Sequence, residues 1–82
     1  MIIGKVIGNV VSTRKHDMLV GYKFMMVQHL ERNLPVEKYT IAVDTAGAGI
    51  GDVVLMATGS AARLALQKDH APVDASIVGI VD

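Results

Sequence analysis

The sequence predicts a mainly all-β domain, a small five-stranded OB-like β-barrel with one short α-helix before the last strand. Three observations predict it. Five stretches rich in β-branched or alternating apolar residues are separated by turns bearing glycine, proline or polar residues. A single stretch, beginning at Gly59-Ser60, carries a helix start signal and helical spacing. The chain has 82 residues, enough for one domain, and short strands in so small a fold protect their edges best by closing on themselves.

The first strand is read over Met1 to Val11, where Gly4 and Gly8 interrupt a β-branched run and mark a bend or a close backbone approach. Ser12 to Asp17 is a polar loop. The second strand, Tyr22 to Leu30, carries Phe24, Met26 and Leu30 on one face and Met25, Val27 and His29 on the other. Asn33 to Lys38, containing Pro35, reads as a turn, and Tyr39, Ile41 and Val43 then alternate with Thr40, Ala42 and Asp44 as a third strand. Val53 to Thr58 and Ile77 to Val81 are the fourth and fifth. Between these two, Ser60 is placed as the N-cap, with Ala61, Leu64 and Ala65 on the packed side and Arg63 and Gln67 on the polar side. The residue three after Ser60 is Arg63, so the reciprocal capping box is absent, and a helix this short depends on packing.

Composition narrows the functional classes. A domain of this size buries only about 60% of the surface its unfolded chain exposes, so its core needs a supplement. The chain has no cysteine and three scattered histidines, which excludes disulfides and makes a poor zinc cage; self-association is the remaining supplement. The second faces of strands two, four and five are apolar as well and are expected to meet another subunit. Lys plus Arg equal Asp plus Glu at eight each, whereas a nucleic-acid binder concentrates positive charge to displace counterions. The apolar share is 51% with only two Tyr and one Phe, which suits packed strands more than base-stacking platforms. No apolar run is long enough to span a bilayer, and the opening Met1-Ile2-Ile3-Gly4-Lys5 lacks a signal-type pattern. No nucleic acid, no membrane and a cytoplasmic location are therefore expected.

The densest motif is Ala42-Val43-Asp44-Thr45-Ala46-Gly47-Ala48-Gly49-Ile50-Gly51, which ends a strand in a glycine loop. Gly59-Ser60-Ala61-Ala62-Arg63, Pro72-Val73-Asp74 and Val78-Gly79-Ile80-Val81-Asp82 come after it in order, and Gly8 to Thr13 with Lys15, then Leu19, Gly21 and Lys23, precede it. In this order and spacing the chain resembles the EutN/CcmL family, the vertex proteins of bacterial microcompartment shells. It departs from the family at Ala46, where a larger branched residue is usual, and at Asp52, where Glu is common. The resemblance implies a non-catalytic protein without a cofactor, a homo-pentamer that plugs the vertices of a polyhedral shell in the cytoplasm, with hexameric shell proteins tiling the facets. It further implies a loop near the five-fold axis at Gly47, Ala48 and Gly49, lining a narrow central pore. Ser12, Thr13, Asp44, Ser60, Arg63 and Asp74 are then the subunit-boundary candidates, with Arg63 expected to pair with Asp44 or Asp74.

Other readings of the same residues are weaker. The glycine loop could cradle a phosphate, but Gly51 leads into Asp52 and a strand, not into the helix and lysine of a P-loop. Glycines allowing positive φ in a tight connection explain it more simply. Ser60, a histidine and Asp44 form a triad only on paper, since no nucleophile-elbow Gly-x-Ser-x-Gly occurs. Catalytic and metal sites are therefore expected to be absent. His16, His29 and His70 read as surface or boundary residues, and Lys5, Arg14, Lys15, Lys23 and Lys38 as an ordinary solvated surface. Met25, Met26 and Met56 read as adaptable core or interface filler. The rival function is an OB-like binding module for nucleic acid or a small ligand, which the same barrel supports.

Overall fold

The computed structural model describes residues 1–13, 15–67 and 71–82. In chain order these form β1 (Ile2–Val10), a 3-10 turn (Asp17–Leu19), β2 (Lys23–Glu31), β3 (Leu34–Asp44), β4 (Val53–Thr58), α1 (Gly59–Ala65) and β5 (Ala75–Val81). The strands close into a barrel in the order β1-β2-β3-β5-β4. Five strands with one helix before the last are what the alternation of apolar residues predicts.

The long strand β1 serves two neighbours. Ile2 to Lys5 pair with β4, Gly4 to Val10 pair with β2, and a register shift between Val6 and Gly8 bends the strand from one to the other. Gly4 sits where backbones converge: a Cβ there would lie 2.8 Å from the Gln28 carbonyl oxygen and collide with Val27. The two glycines thus divide the labour the sequence assigned them, close approach at Gly4 and a bulge beside Gly8.

The hairpin between β2 and β3 turns earlier than expected. Arg32 and Asn33 both take positive φ, 54° and 64°, the pattern of a two-residue turn matched to strand twist. Leu34 to Lys38 are therefore strand and not turn. Pro35 fits because β3 meets β5 only at Val43 opposite Ser76 and Asp44 opposite Ile77, a parallel seam. From Leu34 to Ala42 the far edge of β3 has no strand beside it among the described residues, so a missing N–H costs no ladder bond there. Pro35, Glu37 and Lys38 are the residue types that blunt such an edge.

Two apolar clusters hold the fold. Inside the barrel, Val6, Met25, Val27, Val54, Met56 and Ile77 are almost wholly buried and make the close-packed centre. Outside it, Val43 packs with Ala62, Leu66, Ala71 and Val73, joined by Met18, Leu19, Tyr22 and Phe24. Phe24, on the outer face of β2, is partly covered by the protomer's own helix, 3-10 turn and Ala71–Val73 segment. Leu55 and Ile80 on β4 and β5 do remain exposed.

The helix also differs in phase. It starts at Gly59, one residue before Ser60, with Thr58 at the N-cap position and no side-chain capping bond. Gly59 has φ 61°, and its N–H donates to the Asp74 carbonyl at 2.9 Å. That entry rotates the helix so that Ala62 and Leu66 face inward while Leu64 is 67% exposed. Buried Ser76 locks the phase by donating its hydroxyl to the Ala62 carbonyl at 2.9 Å. Ser60 is thus an exposed first-turn residue, and Ala61, Leu64 and Ala65 face solvent.

His29 is a further difference. It lies on the inward face of β2 and is buried, with Nε2 2.6 Å from Thr40 Oγ1; a polar partner on the adjacent strand lets the ring stay inside. His16 is exposed, and its Nδ1 accepts the Met18 N–H to cap the 3-10 turn. The expectation for His70 lies outside the described residues, as does that for Arg14.

Candidate functional site

The glycine loop between β3 and β4 is built on two aspartates, one at each end. Asp44 closes β3 and folds its carboxylate back under the loop. Oδ1 accepts the N–H groups of Ala46 at 3.0 Å and Gly47 at 3.1 Å, and Oδ2 accepts that of Ala48 at 2.9 Å. Asp52 mirrors this from the other end, with Oδ2 accepting the Gly49 N–H at 2.8 Å. The loop is then tied to the barrel by Gly51 N–H to the Val6 carbonyl and Val6 N–H to the Asp52 carbonyl. At the seam, the Thr45 N–H and hydroxyl both donate to the Ile77 carbonyl, at 3.1 and 2.6 Å. Positive φ is needed at Gly47 (80°) and Gly51 (95°) but not at Gly49.

This arrangement settles the competing readings of the loop. The amides of Ala46 to Gly49 that could have cradled a phosphate are occupied by the chain's own carboxylates, so the glycines serve a tight connection whose donors are satisfied from within. Asp44 has a side chain only 3% exposed, and Lys23, across the hairpin, places Nζ 3.7 Å from its Oδ2. Lys23 also donates to the Ala48 carbonyl at 3.4 Å. Of the three axis candidates, Gly47 and Gly49 are exposed, whereas the Ala48 methyl belongs to the barrel core at 1% exposure. Ala48 therefore contributes backbone to the loop surface and anchors the loop from below.

The boundary candidates fall into two groups. Ser12 and Thr13 are exposed after β1, and the Ser12 carbonyl accepts from Lys15 Nζ at 2.6 Å. A cleft of about 340 Å³ runs beside them, lined by Asn9, Val11, Ser12, Lys15, Tyr22 and Lys23 among others, so this group borders the Asp44 end of β3 through Lys23. Ser60, Arg63 and Asp74 form the second group, around the start of α1. Arg63 donates Nη1–H to the Val73 carbonyl at 3.2 Å, fastening helix to loop. Within the protomer it pairs with neither Asp44 nor Asp74: the first is committed to three amides and Lys23, and the second is exposed.

Sequence reasoning did not assign Lys23 and Asp52 their part in the loop. The available signal was an aspartate at each end of a glycine-rich run, since Asp carboxylates commonly bond to backbone N–H groups a few residues on. Among the described residues no group of three or more His, Asp or Glu could hold a metal ion.

The family model described as ethanolamine utilisation protein EutN/carboxysome matches residues 1–82. The chain belongs to the EutN/CcmL family. Among its curated relatives, the bacterial microcompartment shell vertex protein GrpN of Rhodospirillum rubrum is 48% identical over 83 residues, covering all of this chain and 93% of that one. The carboxysome shell vertex protein CcmL of Synechocystis sp. is 46% identical, again over the whole chain and 83% of the relative. The solved structure of the GrpN pentameric microcompartment shell protein superposes with a TM-score of 0.91 at 44% structure-aligned identity, covering the whole chain and 94% of that one. EutN/CcmL relatives are thus structural shell proteins, and this chain shares their closed barrel with its short helix.

Proposed function

We propose that this EutN/CcmL protein is a non-catalytic building block that assembles as a homo-pentamer and caps the vertices of a polyhedral bacterial microcompartment in the cytoplasm. The observation that carries the reading is full-length similarity to a pentameric shell protein, with a TM-score of 0.91. Two features of the protomer support it. Apolar side chains remain outside both clusters, including Leu34, Tyr39, Ile41, Leu55 and Ile80, more than a lone domain of this size needs on its surface. The two boundary groups occupy different parts of the protomer, one at the end of β1 and one at the start of α1, as a head-to-tail ring requires.

In this reading the loop at Gly47 and Gly49 faces the rotation axis and borders a narrow central pore, with Ala48 fixing it to the barrel. Ser12, Thr13, Ser60, Arg63 and Asp74 lie at or near subunit boundaries, and Asp44 acts there through the loop it holds. Hexameric shell proteins are the neighbours around each ring; nucleic acid, membrane and cofactor are not partners. Native mass spectrometry of the purified protein tests the assembly: a stable pentamer is expected, and a monomer at micromolar concentration refutes it. Co-expression with a hexameric shell protein tests the vertex role, with closed polyhedral particles forming only when both are present.

A further inference from the structure

Glycine loops at strand ends can turn successive N–H groups outward and hold an anion. Here that cradle is filled from within. The amides of Ala46, Gly47 and Ala48 donate to Asp44, and that of Gly49 donates to Asp52. Two carboxylates therefore stand behind one loop. The ammonium beside them, Lys23, is 3.7 Å from Asp44, with a side chain 62% exposed. With these donors turned inward, the carbonyls of Ala46 and Gly47 accept no hydrogen bond within the described protomer. Ala46, Gly47 and Gly49 are exposed, and none carries a side chain larger than methyl.

We infer that this loop is an anion-excluding rim, whose outward face offers backbone acceptors backed by the net negative charge that Asp44 and Asp52 keep after Lys23 offsets one of them, and favours small neutral hydrogen-bond donors and cations over carboxylates and phosphate esters. An approaching anion finds no free loop amide at Ala46 to Gly49 to replace its hydration, whereas a cation or a donor finds carbonyl oxygens, the groups that line cation-selective filters. The inference rests on the reading above, in which copies of the loop surround a common axis. Like charges repeated around a narrow opening reinforce one another when they lie within a Debye length, about 8 Å at physiological salt.

The test uses two small nitroxide radicals of matched shape, one bearing an ammonium and one a carboxylate. Paramagnetic relaxation of the Hα protons of Gly47 and Gly49 is measured by NMR on the full chain, and native mass spectrometry of the same sample reads its assembly. Relaxation about twofold stronger with the ammonium radical is expected at low salt, the ratio falling toward one as salt screens the field. Asp44→Asn keeps an acceptor oxygen but removes the charge, so the ratio should drop. Asp44→Ala frees the amides, and inorganic phosphate should then shift the Gly47 and Ala48 amide signals, which it leaves unmoved in the parent protein. Equal or stronger relaxation by the carboxylate radical in a sample that forms the ring overturns the inference and leaves the ring reading standing. Absence of the ring refutes that reading, while the relaxation ratio still decides the preference of the loop. Should neither variant fold, the ratio in the parent protein and its salt dependence decide the matter alone.

Discussion

Lys23 and Asp44 face each other in register across the β2–β3 hairpin, and their charged groups meet at 3.7 Å with very unequal burial, 62% exposed for the lysine and 3% for the aspartate. The pair is therefore not an ordinary surface ion pair. The aspartate is the keystone of a loop and the lysine is its solvent-screened neighbour.

That asymmetry predicts unequal substitutions. Asp44→Ala strips the acceptor from three amides and should cost about 2 to 3 kcal/mol, whereas Lys23→Ala should cost under about 1 kcal/mol. Urea unfolding at fixed protein concentration checks both; equal losses would mean that the lysine, not the amide bonds, holds the loop.

Gly4 and Gly8 should part company on substitution. Gly4→Ala drives a methyl into Gln28 and Val27 and should lower stability by about 2 kcal/mol or more, while Gly8→Ala meets nothing within 4 Å and should be near neutral. Thermal melts of the two variants at one concentration decide the point.

The His29–Thr40 contact predicts a coupling inside the barrel. Thr40→Val removes the partner of a buried ring nitrogen and should cost about 1 to 2 kcal/mol. In the His29→Leu background the same change should cost much less, giving a measurable interaction energy in a double-mutant cycle; additive losses would show that the 2.6 Å contact contributes nothing.

Helix phase is open to a direct comparison. Leu66→Ala empties part of the outer cluster and should destabilise by about 2 to 3 kcal/mol, while Leu64→Ser alters an exposed position and should leave the protomer fold unchanged. Circular dichroism melts of both variants check the assignment.

Arg63→Ala should loosen α1 from the Val73 carbonyl and weaken rings in native mass spectrometry. Arg63→Lys should restore them only in part, because one ammonium replaces a planar fork. Rings of undiminished stability in Arg63→Ala would remove this residue from the boundary.

Much of the fold was readable because apolar alternation is local. β4 spans Val53–Thr58 as expected, since both its ends are marked, by Asp52 and by Gly59-Ser60. The start of β3 was hidden: Arg32-Asn33 is a left-handed turn without glycine, and Pro35 looks like a breaker unless one knows that its strand has an open edge. Helix phase was hidden too, because it is set by distant contacts, the Gly59 N–H to Asp74 and Ser76 to Ala62. In the loop, the glycines and Asp44 stood out from residue type alone. The partnership of Asp44 with the amides ahead of it competed with a pairing to Arg63, and only the geometry separates the two. The burial of Ala48 results from the loop folding inward, which composition does not record.

The short seam between β3 and β5 gives this barrel an uneven stiffness. β1 holds β2 as far as His29, so only the end of the β2–β3 hairpin, from Leu30 opposite Pro35 to the turn at Arg32 and Asn33, projects like a cantilever. Bending is therefore concentrated where the β2–β3 register shifts between Gln28 and Leu30, and the tip carries Leu34 outward on a short lever that can swing without opening the interior.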